Sequence, residues 1–289
     1  MFELDLKKNK LFYGIVMSKP SHHFHIIDPS PFPIAISFAL LMVTSGAVMF
    51  FHQYPFGEYL LPVGLFLTII IMILWWRDVI REGREDKAHN EVVRRGLSIG
   101  MLLFILSEVM FFFVFFWSFF KASLFPEGIL DGDGVWVVKA GIWPPAGIEI
   151  IDPWNIPFLN TLILLLSGTT VTWAHYELLN NNRKEMVKAL LCTVLLGALF
   201  TSLQVYEYFH ATFKFTGGIY PSNFYMATGF HGFHVLVGTI FLLVCYFRAK
   251  AGHFDKGNGH LGFEFAAWYW HFVDVIWLFL FTFVYVWGA

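Results

Sequence analysis

Charged residues are scarce in this chain. Asp, Glu, Lys and Arg make up 14% of its 289 residues, against about 25% in soluble globular domains. So few charges cannot cover a water-facing surface, which excludes an ordinary soluble fold. The formal net charge of -2 leaves no basic footprint for nucleic acid. The first residues, "MFELDLKKNK", lack an apolar stretch ahead of a small-residue cleavage site. No secretory signal peptide is therefore expected, and the first membrane helix is read as the insertion signal. Cysteine is nearly absent: Cys192 and Cys245 sit far apart inside apolar segments and are read as small buried hydrophobes. There is no HxxxH, no HExxH and no Glu-x-x-His on the apolar segments. Internal repeats and low-complexity stretches are missing too.

Apolar and aromatic residues are abundant, at 57% and 20%. Seven stretches can cross a hydrocarbon core, which takes about 20 helical residues. They run roughly Phe32–His52, Glu58–Trp76, Gly96–Phe120, Ile156–His175, Lys188–Tyr208, Phe224–Arg248 and Phe263–Trp287. The runs show no period-2 alternation, and open sheet edges cannot be satisfied in lipid. The expected fold is an all-α polytopic membrane protein with seven transmembrane helices. Trp75, Trp76, Tyr206, Tyr208, Tyr285 and Trp287 near the segment ends read as an aromatic belt, their polar tips at the headgroups. The chain divides into an inner N-terminal segment 1–31, helices 1–2 over 32–76, a charged inner linker 77–95 and helices 3–7 over 96–289. With the N-terminus inside, every Lys and Arg except Lys121, Lys139 and Lys214 falls on the inner side. That bias predicts an inner N-terminus and an outer C-terminus.

Ionisable groups within the apolar runs carry the functional question. Glu108 lies near the start of "ILSEVMFFFVFFWSFF" and at the midpoint of the segment Gly96–Phe120, with Phe104, Ile105, Phe111 and Phe112 at i±3 and i±4. Such surroundings disfavour an ionised carboxyl, so Glu108 reads as a neutral acid giving one interhelical hydrogen bond, or as a proton-handling group. In "GFHGFHVLVG", His231 and His234 share a helix face, with Gly229, Gly232 and Gly238 leaving room for another backbone or a lipid chain. In "EFAAWYWHFVDVIW", His271 and Asp274 stand three apart and can pair, with Glu264 near the inner end. Imidazole and carboxylate together could also hold iron or zinc. Gln204 and Glu207 read as interfacial hydrogen-bonding groups. On the inner side, Arg77, Arg81, Glu82, His89 and Arg248 are either a positive-inside anchor or a phosphate site. The residues alone leave open a subunit of a larger complex, a proton-coupled transporter acting on its own, and a membrane di-iron or haem enzyme.

Seven stretches in order now carry a resemblance: "HIIDPSPFPI", "WWRDVIRE", "GMLLFILSEVMFFFVFFWSFF", "WPPAGI", "LNTLILLLSGTTVTWAH", "ATGFHGFHVLVG" and "GFEFAAWYWHFVDVIWLFL". Together they resemble subunit III of the haem–copper cytochrome c oxidases, from about His22 to the C-terminus. Five-helix quinol-oxidase relatives usually lack the first two helices, which "DPSPFPI" and "WWRDVIRE" bracket here. The resemblance implies a non-catalytic subunit of an aa3-type oxidase, with no cofactor of its own and with haem a and copper in partner subunits. It implies direct packing on subunit I, with subunit II in the same complex. It also implies a V-shaped, phospholipid-filled cleft between helices 1–2 and helices 3–7, with lipid contacts at Trp75, Arg81, Glu82, His89, Phe104, His234 and Arg248. Glu108 matches the family's carbodiimide-reactive carboxylate. The implied role is support of proton uptake and protection of the metal centres during proton-coupled O2 reduction. The insertion around "EGILDGDGVWVVKAG" tilts the expectation toward a bacterial plasma membrane, with the N-terminus cytoplasmic and the C-terminus periplasmic, over a mitochondrial inner membrane. Lys121 departs from the family pattern, where His is common.

Overall fold

A computed structural model describes residues 29–84, 89–126, 142–145, 147–254 and 260–288. The "SHHFH" cluster and the "EGILDGDGVWVVKAG" insertion lie outside the described residues. Seven helices are long and apolar enough to cross a membrane, and there is no strand among the described residues. They are α1 Phe32–Phe51, α2 Gly57–Arg84, α3 Glu91–Leu124, α4 Ile156–Leu179, α5 Arg183–His210, α6 Ile219–Lys250 and α7 Leu261–Leu280. α7 runs on into a π-helical turn, Phe281–Val286, and a 3-10 turn, Phe215–Gly217, precedes α6. Helix starts and stops follow local chemistry. Proline sits in the first turn of α1 and α4, where its missing N–H would be unpaired anyway. α4 is halted by Asn181 at φ 54°, a left-handed conformation that asparagine tolerates.

The chain forms two compact units, Met1–Gly96 and Leu97–Ala289. In the first, α1 and α2 form an antiparallel hairpin that closes backbone to backbone. A Cβ on Gly46 would lie 2.6 Å from the Leu61 nitrogen, and one on Gly64 would lie 2.8 Å from the Val43 nitrogen. Only glycine permits that approach. Phe32 stacks on Trp75 at 6.1 Å between ring centroids, joining the two ends of the hairpin.

The second unit holds the core. α4 to α7 bury Trp270 and Trp277 completely. Gly197 and Gly238 make the space for the Trp270 ring. Both of these indole N–H groups find an acceptor on α4: Trp270 donates to Ser167 Oγ and Trp277 to Thr161 Oγ1, both at 2.9 Å. In a hydrocarbon surrounding, such bonds remove the cost of an unmet donor. α3 joins this unit differently. Its backbone does not approach the bundle closely, and Phe111 meets Phe230 edge-on at 5.0 Å while Phe119 meets Trp143 at 5.6 Å.

Three sequence expectations change here. Cys245 is buried, but Cys192 is exposed, because α5 turns that position away from the bundle. Tyr285 and Tyr208 do not point their hydroxyls at the membrane surface. Tyr285 is buried and donates to Glu207 at 2.7 Å, and Tyr208 donates to Thr228 at 2.7 Å. Of the three glycines on α6, Gly238 is filled by Trp270, whereas Gly229 and Gly232 have open space above them.

Candidate functional site: an acid–imidazole pair within the span

Glu108 on α3 faces His234 on α6, with Oε2 2.9 Å from Nε2. The histidine's other nitrogen decides how this bond is built. Nδ1 lies 2.7 Å from the Phe230 carbonyl, one helical turn back. A carbonyl only accepts, so Nδ1 carries a hydrogen. One further proton then sits between Nε2 and Oε2, belonging to the acid or to the ring. Either way the pair has no net charge. The expected interhelical hydrogen bond of Glu108 is this one.

Aromatic rings enclose the pair. Phe112 meets the imidazole edge-on at 5.0 Å, and Phe111 and Phe272 lie beside it. Tyr269 stacks on His234 at 6.3 Å and on Phe104, also at 6.3 Å. Phe104, His234 and Glu108 therefore belong to one surface. The Glu108 side chain remains 20% exposed and Phe104 is exposed, so an apolar chain can reach this wall from outside. Ser107 is turned back to the Phe104 carbonyl at 2.6 Å, with Glu108 Oε1 a distant 3.5 Å away.

The remaining expected residues are shared between the two units. Trp75, Arg81, Glu82 and His89 belong to the first unit, with the His89 ring close over Gly83. Arg248 lies in the last turn of α6, its guanidinium 4.8 Å from the Phe254 ring and close to Gly262. Glu264 is half-buried in the first turn of α7. His231 and His234 share a helix face in sequence but divide their work. His231 is fully buried, its Nε2 3.1 Å from the Val273 carbonyl and its ring against Trp277. His271 Nδ1 lies a long 3.5 Å from Asp274, and its Nε2 is 3.3 Å from Thr172. No group of three His, Cys, Asp or Glu side chains among the described residues is placed to hold a metal ion.

The sequence reading placed Gln204 and Glu207 at the interface, and the structure corrects this. They are 3% and 4% exposed. Gln204 Nε2 and the Tyr285 hydroxyl both donate to Glu207 Oε1, at 3.0 and 2.7 Å, and Asn160 donates to Gln204 at 3.3 Å. The signal available in sequence was the three-residue spacing of Gln204 and Glu207, which puts them on one face.

A model of the cytochrome c oxidase subunit III family matches residues 22–289. The chain belongs to the cytochrome c oxidase subunit III family. A Rickettsia bellii protein described as "Probable cytochrome c oxidase subunit 3" is 64% identical over 270 residues, covering 93% of this chain and 97% of the relative. The cytochrome c oxidase subunit 3 of Prototheca wickerhamii is 54% identical, covering 93% and 98%, and that of Arabidopsis thaliana 53% identical, covering 93% and 97%. As a cytochrome c oxidase subunit III, the chain is a multi-pass membrane protein and a member of an oxidase complex.

Proposed function

We propose that this chain is the non-catalytic, lipid-holding subunit of an aa3-type oxidase. It carries no redox centre, packs directly on subunit I with subunit II in the same complex, and supports proton uptake and the durability of the metal centres. Haem a and copper belong to the partner subunits. Phospholipid fills a V-shaped cleft, with headgroup phosphate at Arg81 and Arg248 and acyl chains along Phe104 and Trp75. The membrane is a bacterial plasma membrane, with the N-terminus cytoplasmic and the C-terminus periplasmic.

One observation favours this over a proton-coupled transporter. The Glu108–His234 pair closes on itself: among the described residues, its bonds end at the Phe230 carbonyl and the Ser107 hydroxyl. A relay needs a further acceptor to receive the proton. Glu108→Gln should therefore leave oxidase turnover and proton pumping intact in the assembled complex, and a collapse of pumping would make Glu108 a carrier. Arg81→Ala and Arg248→Ala should lower the phospholipid retained by the purified complex and shorten its life during turnover. Unchanged lipid content by mass spectrometry would refute the lipid assignment. Purification in mild detergent should bring down a larger haem- and copper-bearing chain, and a solitary chain active in transport would refute the proposal altogether.

A further inference from the structure

The hydrogen bonds around Glu207 are lopsided. Both neighbouring donors, Gln204 Nε2 and Tyr285 Oη, reach the same oxygen, Oε1. Oε2 receives none and is enclosed by the protein. A carboxylate has two equivalent oxygens, each able to accept two bonds, so this division leaves half of its capacity unmet. A carboxylic acid has one carbonyl oxygen that accepts and one hydroxyl that donates. The observed pattern is that of the acid, with Oε1 the carbonyl and Oε2 the hydroxyl.

Two further facts agree. Among the described residues Glu207 has no ion-pair partner, and an unpaired buried charge is strongly destabilising. Asn160 Oδ1 is likewise enclosed and without a donor, while its amide group already donates to Gln204 in the same network. Asn160 Oδ1 lacks a donor and a protonated Oε2 lacks an acceptor, so the two defects are complementary. Because Oε2 has no open surface, the ligand that fits must need no room of its own.

We propose that Glu207 is a proton-binding site, with the proton on Oε2 offered to Asn160, in a clasp that ties α4, α5 and the π-helical turn after α7. The site adjoins the outer loop. Glu207 lines a cavity of about 200 Å³ together with Glu149, Asp152 and His210, and no Lys or Arg among the described residues lines it. Tyr208, Tyr220 and Tyr225 also lie near the carboxyl. The cavity lies beside the residue, while Tyr208 and Tyr225 spend their hydroxyl protons elsewhere, on Thr228 Oγ1 and the Phe213 carbonyl. This inference is independent of the lipid proposal, since none of these residues belongs to the lipid set.

Infrared difference spectroscopy on the assembled oxidase tests it. Subtracting the Glu207→Gln complex from the wild type should leave the carbonyl band of a protonated carboxyl, shifted in heavy water. Carboxylate bands in its place would overturn the proposal. Glu207→Gln should assemble normally, because its amide supplies the same acceptor and the same donor as the acid. Failure to assemble would mean that the charge is needed, and would also overturn it. Tyr285→Phe removes one donor to the carbonyl and should move the protonated-carboxyl band to higher frequency. A band that does not move in that variant would show that another carboxyl produces it.

Discussion

The α1–α2 hairpin and the α3 seam of the second unit solve the same problem in opposite ways. Both join helices whose outer faces are apolar, and in both the burial of apolar surface cannot drive contact, since lipid tails are equally apolar. The hairpin closes by removing side chains: Gly46 and Gly64 bring two backbones together. The seam keeps its side chains and holds α3 away from the bundle on Phe111, Phe112, Phe115 and Phe119. A glycine contact tolerates no added atom. A ring-spaced contact leaves gaps that other apolar groups can enter, and it is pinned at one point by the polar Glu108–His234 bond.

Substitutions should separate these two kinds of contact. Gly64→Leu places a side chain against the Val43 backbone, and is expected to cost about 3 kcal/mol or more. The readout is loss of assembled complex on native gels; full assembly would show that the hairpin is not closed through glycine. His234→Ala leaves the Glu108 carboxyl without its partner and should cost about 1–3 kcal/mol of thermal stability. A double-mutant cycle with Glu108→Gln should give a coupling of about 0.5–2 kcal/mol, and additivity of the two changes would remove the pair as the pin of the seam. Phe111→Leu loses edge contacts but keeps an apolar group, and about 1 kcal/mol is expected from the shift in melting temperature. Gly100→Ala, whose added Cβ meets nothing within 4 Å, should change stability by about 0.5 kcal/mol or less. A large effect there would point to a partner surface over that position.

Long apolar runs made the seven helices legible, because the hydrocarbon core fixes their length and leaves helices as the way to satisfy the backbone. Glu108 stood out for the same reason: one carboxyl among phenylalanines has a large effect on local energy and therefore a visible signature. Its partner was not legible. His231 and His234 share spacing and residue type, and only packing shows that one turns to α7 and the other to α3. Tyr285 was misassigned because a tyrosine near a helix end is ordinarily an interfacial anchor. A π-helical turn at Phe281–Val286 lies outside any hydropathy pattern, and it carries Tyr285 where the residue meets Glu207. Cys192 and Cys245 are indistinguishable in apolar surroundings until the bundle defines an inside.

The Phe230 carbonyl has an effect beyond geometry. By holding a hydrogen on Nδ1 of His234, it leaves Nε2 to share one proton with Glu108, and the pair joined by that proton has a summed charge of zero. A lone charge within a span responds to the membrane voltage by about 2.3 kcal/mol per 100 mV for a full crossing. A pair with no net charge feels only the small torque on its dipole. The most conspicuous ionisable group in this chain is thereby electrically silent, and an energised membrane can be raised or discharged around it without pulling α3 away from α6.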